Sequence, residues 1–208
     1  MLITLEGPDG SGKSTQIDLL VQKLRAKGYK VVQTREPGGT SIGDEIRQVL
    51  HDLKNTAMHP HTETLLYAAS RAQLVAQVIR PHLESGGIVV CDRYRDSTLA
   101  YQGYGHGLDL EALNSILAFA TGNLTPDLTF YLDLSVEDGL KRRKDAADDW
   151  NRMDAMAVEF HQRVRAGYEK LIAAEPERWV RIDASQDIET IHQAILAVVL
   201  MRVKEMQK

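Results

Sequence analysis

The run Gly7-Pro8-Asp9-Gly10-Ser11-Gly12-Lys13-Ser14 follows an apolar stretch, Met1–Leu5, and precedes a helix-like one, Thr15–Lys27. A glycine-rich loop so placed admits few folds. A strand must enter it, a helix must leave it, and its backbone must curl in conformations that glycine alone adopts freely. The pattern G-x-x-x-x-G-K-S builds an anion cradle. Its N–H groups point inward, and the helix behind it contributes a positive end. Lys13 can reach the terminal phosphates of a nucleoside triphosphate, and the Ser14 hydroxyl can ligate Mg2+.

Asp9 is the odd member of that loop, because a carboxylate beside phosphates is repelled. Two roles are open to it. It faces the metal or the hydroxyls of a second substrate, or it is a turn residue bonded to its own backbone.

Five runs read as strands: Leu2–Leu5, Lys30–Thr34, Gly87–Cys91, Leu128–Leu134 and Trp179–Ile182. Each is followed by a helical pattern, which predicts an α/β fold: a five-stranded parallel sheet with helices on both faces. The 208 residues suit a single domain, and no repeat or low-complexity tract divides them. A net charge of −4 argues against bulk attraction to nucleic acid, so anion binding must come from local clusters. The single cysteine, Cys91, excludes an internal disulfide and suits a reducing cytoplasm. A strand at the very start leaves no room for a signal peptide, and the run Ala194–Met201 is too short to span a bilayer. A cytoplasmic protein without a membrane partner is therefore expected.

Parallel sheets bind ligands at the carboxyl ends of their strands. That rule selects Gly7–Ser14, Arg35–Thr40, Asp92–Tyr94, Asp133–Ser135 and Asp183–Gln186. In the second group, Thr40 or Ser41 can cap the next helix, with Asp44 completing a capping box from Ser41. Asp92 ends a buried run, where a carboxylate on the Mg2+ side belongs, and Arg93 beside it suits phosphate clamping. Thr98, Tyr101 and Gln102 recur toward the same edge. His61–Ile79 reads as a helix that puts Tyr67 and Arg71 on one face, able to grip a planar heterocycle or simply to pack. His51, His59 and His61 lie close together but lack the carboxylate or thiol set of a metal site. The basic cluster Lys141–Lys144 either complements a helix dipole or belongs to a short mobile lid, about 141–154, whose Arg142, Arg143 and Arg152 fold over transferring phosphates. Arg163 and Arg165 on the next helix are expected to face solvent.

Taken together, Gly7–Thr15, Arg35–Thr40, Tyr67-x3-Arg71, Asp92-Arg93-Tyr94 with Ser97, Tyr101-Gln102-Gly103, Pro126–Thr129 and the lid segment resemble the bacterial thymidylate kinases over essentially the whole length. The resemblance implies a P-loop fold of the NTP hydrolase type, ATP as donor, dTMP as acceptor, Mg2+ as cofactor and a homodimer. It implies that Gly7, Pro8, Asp9, Gly10, Ser11, Gly12, Lys13, Ser14 and Thr15 bind ATP. It places Mg2+ on Ser14 and, through water, on Asp92. On the acceptor side it implies Pro37, Tyr67 stacked on thymine, Arg71 on a thymine carbonyl, Thr98 and Gln102 by the base, Tyr101 against C2′, Arg93 on the phosphate and Asp9 near the 3′-hydroxyl. Tyr67 stands where the family usually has Phe, and Asn151 where Asp often precedes the lid arginine. The phosphate loop lacks an arginine, which implies the subtype whose lid supplies that charge.

An acceptor that is already a phosphate needs no general base. Catalysis then reduces to aligning two anions and neutralising their repulsion, the work of Lys13, Mg2+, Arg93, Asp9 and Arg152. Two other readings stay open on residues alone. A deoxynucleoside kinase would use Glu36 as base for an uncharged hydroxyl. A nucleotide-binding regulatory ATPase would use Tyr67, Arg71 and Tyr101 as partner or core contacts.

Overall fold

The computed structural model describes residues 1–146 and 151–206. Residues 147–150, inside the expected lid, lie outside that description. The five strands are β1 (Leu2–Glu6), β2 (Val31–Arg35), β3 (Ile88–Asp92), β4 (Leu128–Asp133) and β5 (Trp179–Asp183), all within a residue or two of the expected runs. They form one parallel sheet in the order β2-β3-β1-β4-β5. Every residue of β1 is buried, as a central strand covered on both faces requires. Leu5 pairs with Asp92 and Asp92 with Arg35, so three strand ends arrive at one edge in register.

Helices α1 (Lys13–Ala26) and α9 (Ile188–Met206) pack together on one face. Ile17, Leu20 and Leu24 of α1 meet Ile195 and Val199 of α9 over Ile3, Leu5, Phe130 and Leu132. The other face carries α2 (Ser41–His51), α3 (Pro60–Leu74), α4 (Arg80–Glu84), α5 (Arg95–Thr98), α6 (Leu110–Thr121) and α8 (Val158–Ala174), with α7 (Val136–Ala146) leading into the lid.

Three local expectations are corrected. The helix expected over 61–79 starts at Pro60, capped by His59 Nδ1 accepting from His61 N–H, and does not stop at Ile79. It widens into π turns over Val75–Ile79 and continues as α4 through Pro81. Proline lacks the N–H an α turn needs, and a wide turn just before it absorbs the defect. A second π segment, Leu99–Gly105, follows α5. At α2 the cap is Thr40, whose Oγ1 accepts from Gly43 N–H at 3.0 Å. Asp44 does not serve Ser41; its Oδ1 accepts from Gly39 N–H and pairs with Arg35.

Candidate active site

At the carboxyl edge of the sheet lies a cleft of about 970 Å³. Its walls bring together residues far apart in sequence: Asp9, Gly10 and Gly12 to Thr15 of the loop, Arg35 to Pro37, Arg47, Gln48 and His51, Tyr67 and Arg71, Asp92 and Arg93, Ser97, Thr98, Tyr101 and Gln102, and Arg142, Arg143 and Asn151. Gly7, Pro8 and Ser11 do not line it. Gly7 and Pro8 instead offer their carbonyls to Lys13 Nζ at 3.1 and 2.8 Å, and Ser11 is buried behind the loop. Of the strand-end groups, Asp133–Ser135 is used elsewhere: Asp133 pairs with Arg165, and Ser135 caps α7 by accepting from Asp138 N–H.

The loop curls as its glycines allow, with Gly10 at φ 79° and Gly12 at φ 88°. The N-terminus of α1 carries no side-chain cap, so its N–H groups remain available to an anion. Lys13 is buried; desolvation and the nearby Arg93 bring its ammonium down to about 8. Ser14 Oγ donates to Asp92 Oδ2 at 3.0 Å. One hydroxyl and one carboxylate, both hard oxygen donors, fit the protein's share of a Mg2+ shell.

Arg93 is the centre of a hydrogen-bonded cluster in the cleft. Its backbone sits at φ 67°, a left-handed conformation that a non-glycine residue holds only when its surroundings impose it. They do. Arg93 N–H bonds Leu5 O at 3.0 Å, Cys91 Sγ–H bonds Arg93 O, and the next N–H, of Tyr94, bonds Glu6 Oε1 at 2.8 Å. The guanidinium then reaches Asp9 Oδ1 at 2.9 Å, Tyr101 Oη at 3.2 Å, Ser97 Oγ at 3.2 Å and Tyr168 Oη at 3.4 Å. Burial opposes ionisation of Asp9, but Arg93 and Lys13 hold its carboxyl well below the usual carboxylate range.

Arg71 is 1% exposed yet faces the cleft. It donates through Nε to Glu36 Oε2 at 2.8 Å, through Nη1 to Thr98 Oγ1 at 3.0 Å and through Nη2 to Tyr94 O at 3.1 Å. Glu36, weighed as a base for a hydroxyl acceptor, is thus committed to an ion pair; burial raises its carboxyl while Arg71 pulls it back. Tyr67, half-buried one helical turn before Arg71, supplies the flat face beside it.

The lid arginines divide. Arg142, on α7, donates to Gly10 O at 3.4 Å and to Ala184 O at 3.3 Å, while lining the cleft. Arg143 also lines the cleft and bonds both oxygens of Asp154. Arg152 goes elsewhere: it pairs with Glu63 of α3 and donates to Leu50 O at 3.1 Å. Its partner Glu63 is a carboxylate 1% exposed inside α3, and Arg152 does not line the cleft. Arg163 and Arg165 are exposed, as expected.

Loop and lid approach each other closely. A Cβ on Gly10 would lie 2.5 Å from Gly139 O, and one on Gly139 would lie 2.8 Å from Asp9 O.

Among the buried carboxylates that escaped the sequence reading are Glu6 and Glu63. Glu6 closes β1 fully buried, accepting from Ser97 Oγ at 2.6 Å and Tyr168 Oη at 2.8 Å besides Tyr94 N–H. An acid ending an otherwise apolar strand was the signal for Glu6. Glu63 had none, since its partners lie 39 to 89 residues away.

A family model described as thymidylate kinase matches residues 5–195. A thymidylate kinase of Roseiflexus castenholzii is 58% identical, the alignment covering 96% of this chain and 92% of that one. One of an Exiguobacterium species is 52% identical, covering 99% and 96%. A crystal structure of thymidylate kinase from Ehrlichia chaffeensis superimposes with a TM-score of 0.78 at 33% identity, covering 96% of this chain and 98% of the other.

Proposed function

The chain belongs to the thymidylate kinase family, and from that premise we propose how its cleft phosphorylates dTMP to dTDP at the expense of ATP. The observation that carries the proposal is the position of Arg93. A guanidinium held in place by hydroxyls and by the Asp9 carboxylate of the phosphate loop itself is a clamp for a second phosphate.

ATP occupies the loop Gly7–Thr15, its terminal phosphates on Lys13. Ser14 and Asp92 would hold Mg2+, which supplies charge neutralisation between the donor phosphates. Arg93 takes the dTMP phosphate. Tyr67 stacks on the base, Arg71 and Gln102 read its edge beside Thr98 and Pro37, and Tyr101 closes on the sugar. Asp9, with Arg93 alongside, aligns the sugar hydroxyl. The acceptor oxygen is already anionic, so positioning and charge do the chemistry. Arg142 and Arg143 supply lid charge over the transferring group; the pairing of Arg152 with Glu63 supports a place for it on the base side instead.

No helix among the described residues is long and apolar enough to cross a membrane. A buried free thiol, Cys91, suits a reducing cytoplasm. A homodimer is supported by exposed apolar side chains on three helices that pack together: Ile42 and Val49 of α2, Leu65 of α3 and Phe119 of α6, the last 91% exposed.

The deciding experiment is a panel of nucleoside monophosphates, with thymidine alongside, assayed with ATP and Mg2+ and no other protein. dTDP formation from dTMP is expected to dominate. Phosphorylation of thymidine instead would overturn the proposal, and so would ATP hydrolysis without dTDP.

A further inference from the structure

Glu63 collects bonds from three residues in two segments of the chain. Its Oε1 accepts from Gln102 Nε2 at 2.7 Å and meets His106 Nε2 at 3.2 Å; its Oε2 takes Arg152. Arg152 is fixed in turn by Leu50 O at the end of α2. Although burial opposes ionisation, the bonds from His106, Arg152 and Gln102 hold the carboxyl below its usual range. Glu63 does not line the cleft, but Gln102 does, beside Tyr67, Arg71 and Thr98.

A primary amide has two unlike ends, an NH2 that only donates and an oxygen that only accepts. An ionised carboxylate only accepts, so Glu63 can be satisfied by the NH2 end alone. The Gln102 amide therefore has one permitted orientation. Its Oε1, which accepts no hydrogen bond among the described residues, is left as the atom it offers to the cleft. Arg71, whose guanidinium only donates, lines the same cleft. The pocket thus presents both an acceptor and a donor. A 4-oxo pyrimidine carries the complementary pair, a ring N–H next to a carbonyl. Cytosine carries the reverse, a bare ring nitrogen next to an amino group.

We infer that Glu63 is a specificity-positioning residue: it locks the Gln102 amide oxygen toward the base and so makes the site select 4-oxo over 4-amino pyrimidines. Arg152 and His106 hold Glu63 in place, giving the lid-side arginine a task in base recognition. This rests on the reading of dTMP as acceptor.

The test compares kcat/KM for dTMP and dCMP, and KM for ATP, in three proteins: the parent, Glu63→Gln, and the exchange Glu63→Gln with Gln102→Glu. A neutral amide at 63 can present either end, which frees Gln102 to turn over. Glu63→Gln is expected to lower the dTMP to dCMP ratio by about tenfold or more, with KM for ATP unchanged. The exchange is expected to restore the ratio, because the new amide then donates to the new carboxylate. A ratio in Glu63→Gln within about threefold of the parent's overturns the inference, as does an equal loss toward dTMP, dCMP and ATP. If Glu63→Gln alone fails to unfold cooperatively, the exchange variant decides: a parent-like ratio supports the inference and a lost one overturns it. A parent that makes no dTDP overturns the dTMP reading itself, whereas a parent that makes it with selectivity indifferent to Glu63 overturns only the inference.

Discussion

Arg93 Nη2 donates to Asp9 Oδ1 at 2.9 Å, and through that bond the acid in the phosphate loop is neutralised by the cation expected to hold the acceptor phosphate. A carboxylate that would repel phosphates becomes tolerable where its charge is already balanced. It also restrains the guanidinium at Nη2, the nitrogen that Tyr101 shares, while Ser97 holds Nη1. Asp9→Asn keeps the size and one acceptor oxygen but removes the charge. Turnover is expected to fall by about tenfold to a hundredfold while the affinity for ATP changes little. Steady-state kinetics with each substrate varied checks this; parent-like kinetics at unchanged Tm would return Asp9 to a turn role.

Lys13 is tied only to loop oxygens, the carbonyls of Gly7 and Pro8 and, at 3.5 Å, Ser11 Oγ. Its removal leaves no carboxylate stranded. Lys13→Ala is expected to lower turnover by about a hundredfold or more and to leave circular dichroism and Tm close to the parent's. Activity within a few fold of the parent would remove Lys13 from the catalytic group.

Arg71 and Glu36 are both almost wholly buried, 1% and 3% exposed in their side chains. Arg71 takes Glu36 Oε2, and Oε1 has no hydrogen-bond partner among the described residues. Arg71→Ala would leave a buried charge alone, at a cost of about 3 kcal/mol or more in denaturant unfolding. KM for dTMP should rise while KM for ATP stays put. Adding Glu36→Gln should recover much of the stability and none of the dTMP affinity, which separates the two roles of the guanidinium.

Glu6 gives a pH dependence with a definite sign. Burial, and after it the nearby Asp96, push its carboxyl up to about 7, against 4.5 for the free group, despite the opposing pull of Arg93. The folded state therefore holds this proton more tightly than the unfolded one. The stability so gained is complete below pH 4.5 and is lost as pH rises through about 7. The loss is on the order of 3 kcal/mol. Glu6→Gln cannot lose that proton, so its stability relative to the parent should improve from pH 5 to pH 8. Urea unfolding of both proteins across that range measures the difference. A constant gap would show that Glu6 keeps an ordinary pKa.

The strands and the loop were legible because their signals are local: runs of branched and aromatic residues, glycines at fixed offsets, a lysine and serine at the helix start. Tyr67 and Arg71 were placed on one face by helical spacing alone. What was not legible is pairing across the chain. Arg152 was read from its neighbours in a basic, lid-like stretch, but its place is decided by Glu63, 89 residues earlier. The helix end was illegible for a different reason: a proline normally interrupts a helix, yet this one runs on through Pro81 after the π turns over Val75–Ile79. The exposed apolar side chains Ile42, Leu65 and Phe119 went unseen because exposure is decided by how their three helices pack, not by local sequence.

The meeting of Gly10 with Gly139 bears on which substitutions this chain can accept. Neither residue touches a phosphate through a side chain, and at Gly139 the backbone angle does not demand glycine. What is guarded there is a close approach of two backbones that leaves no room for a methyl group. A single alanine at Gly139 would wedge α7 off the loop by a fraction of an ångström and carry Arg142 and Arg143 with it, since all three share one helix. Misplacements of about 1 Å can cost about a hundredfold in rate. A position with no chemistry of its own therefore sets the spacing between the lid's charges and the phosphate cradle, and variation there would register as lost turnover in a protein whose fold and substrate affinities look intact.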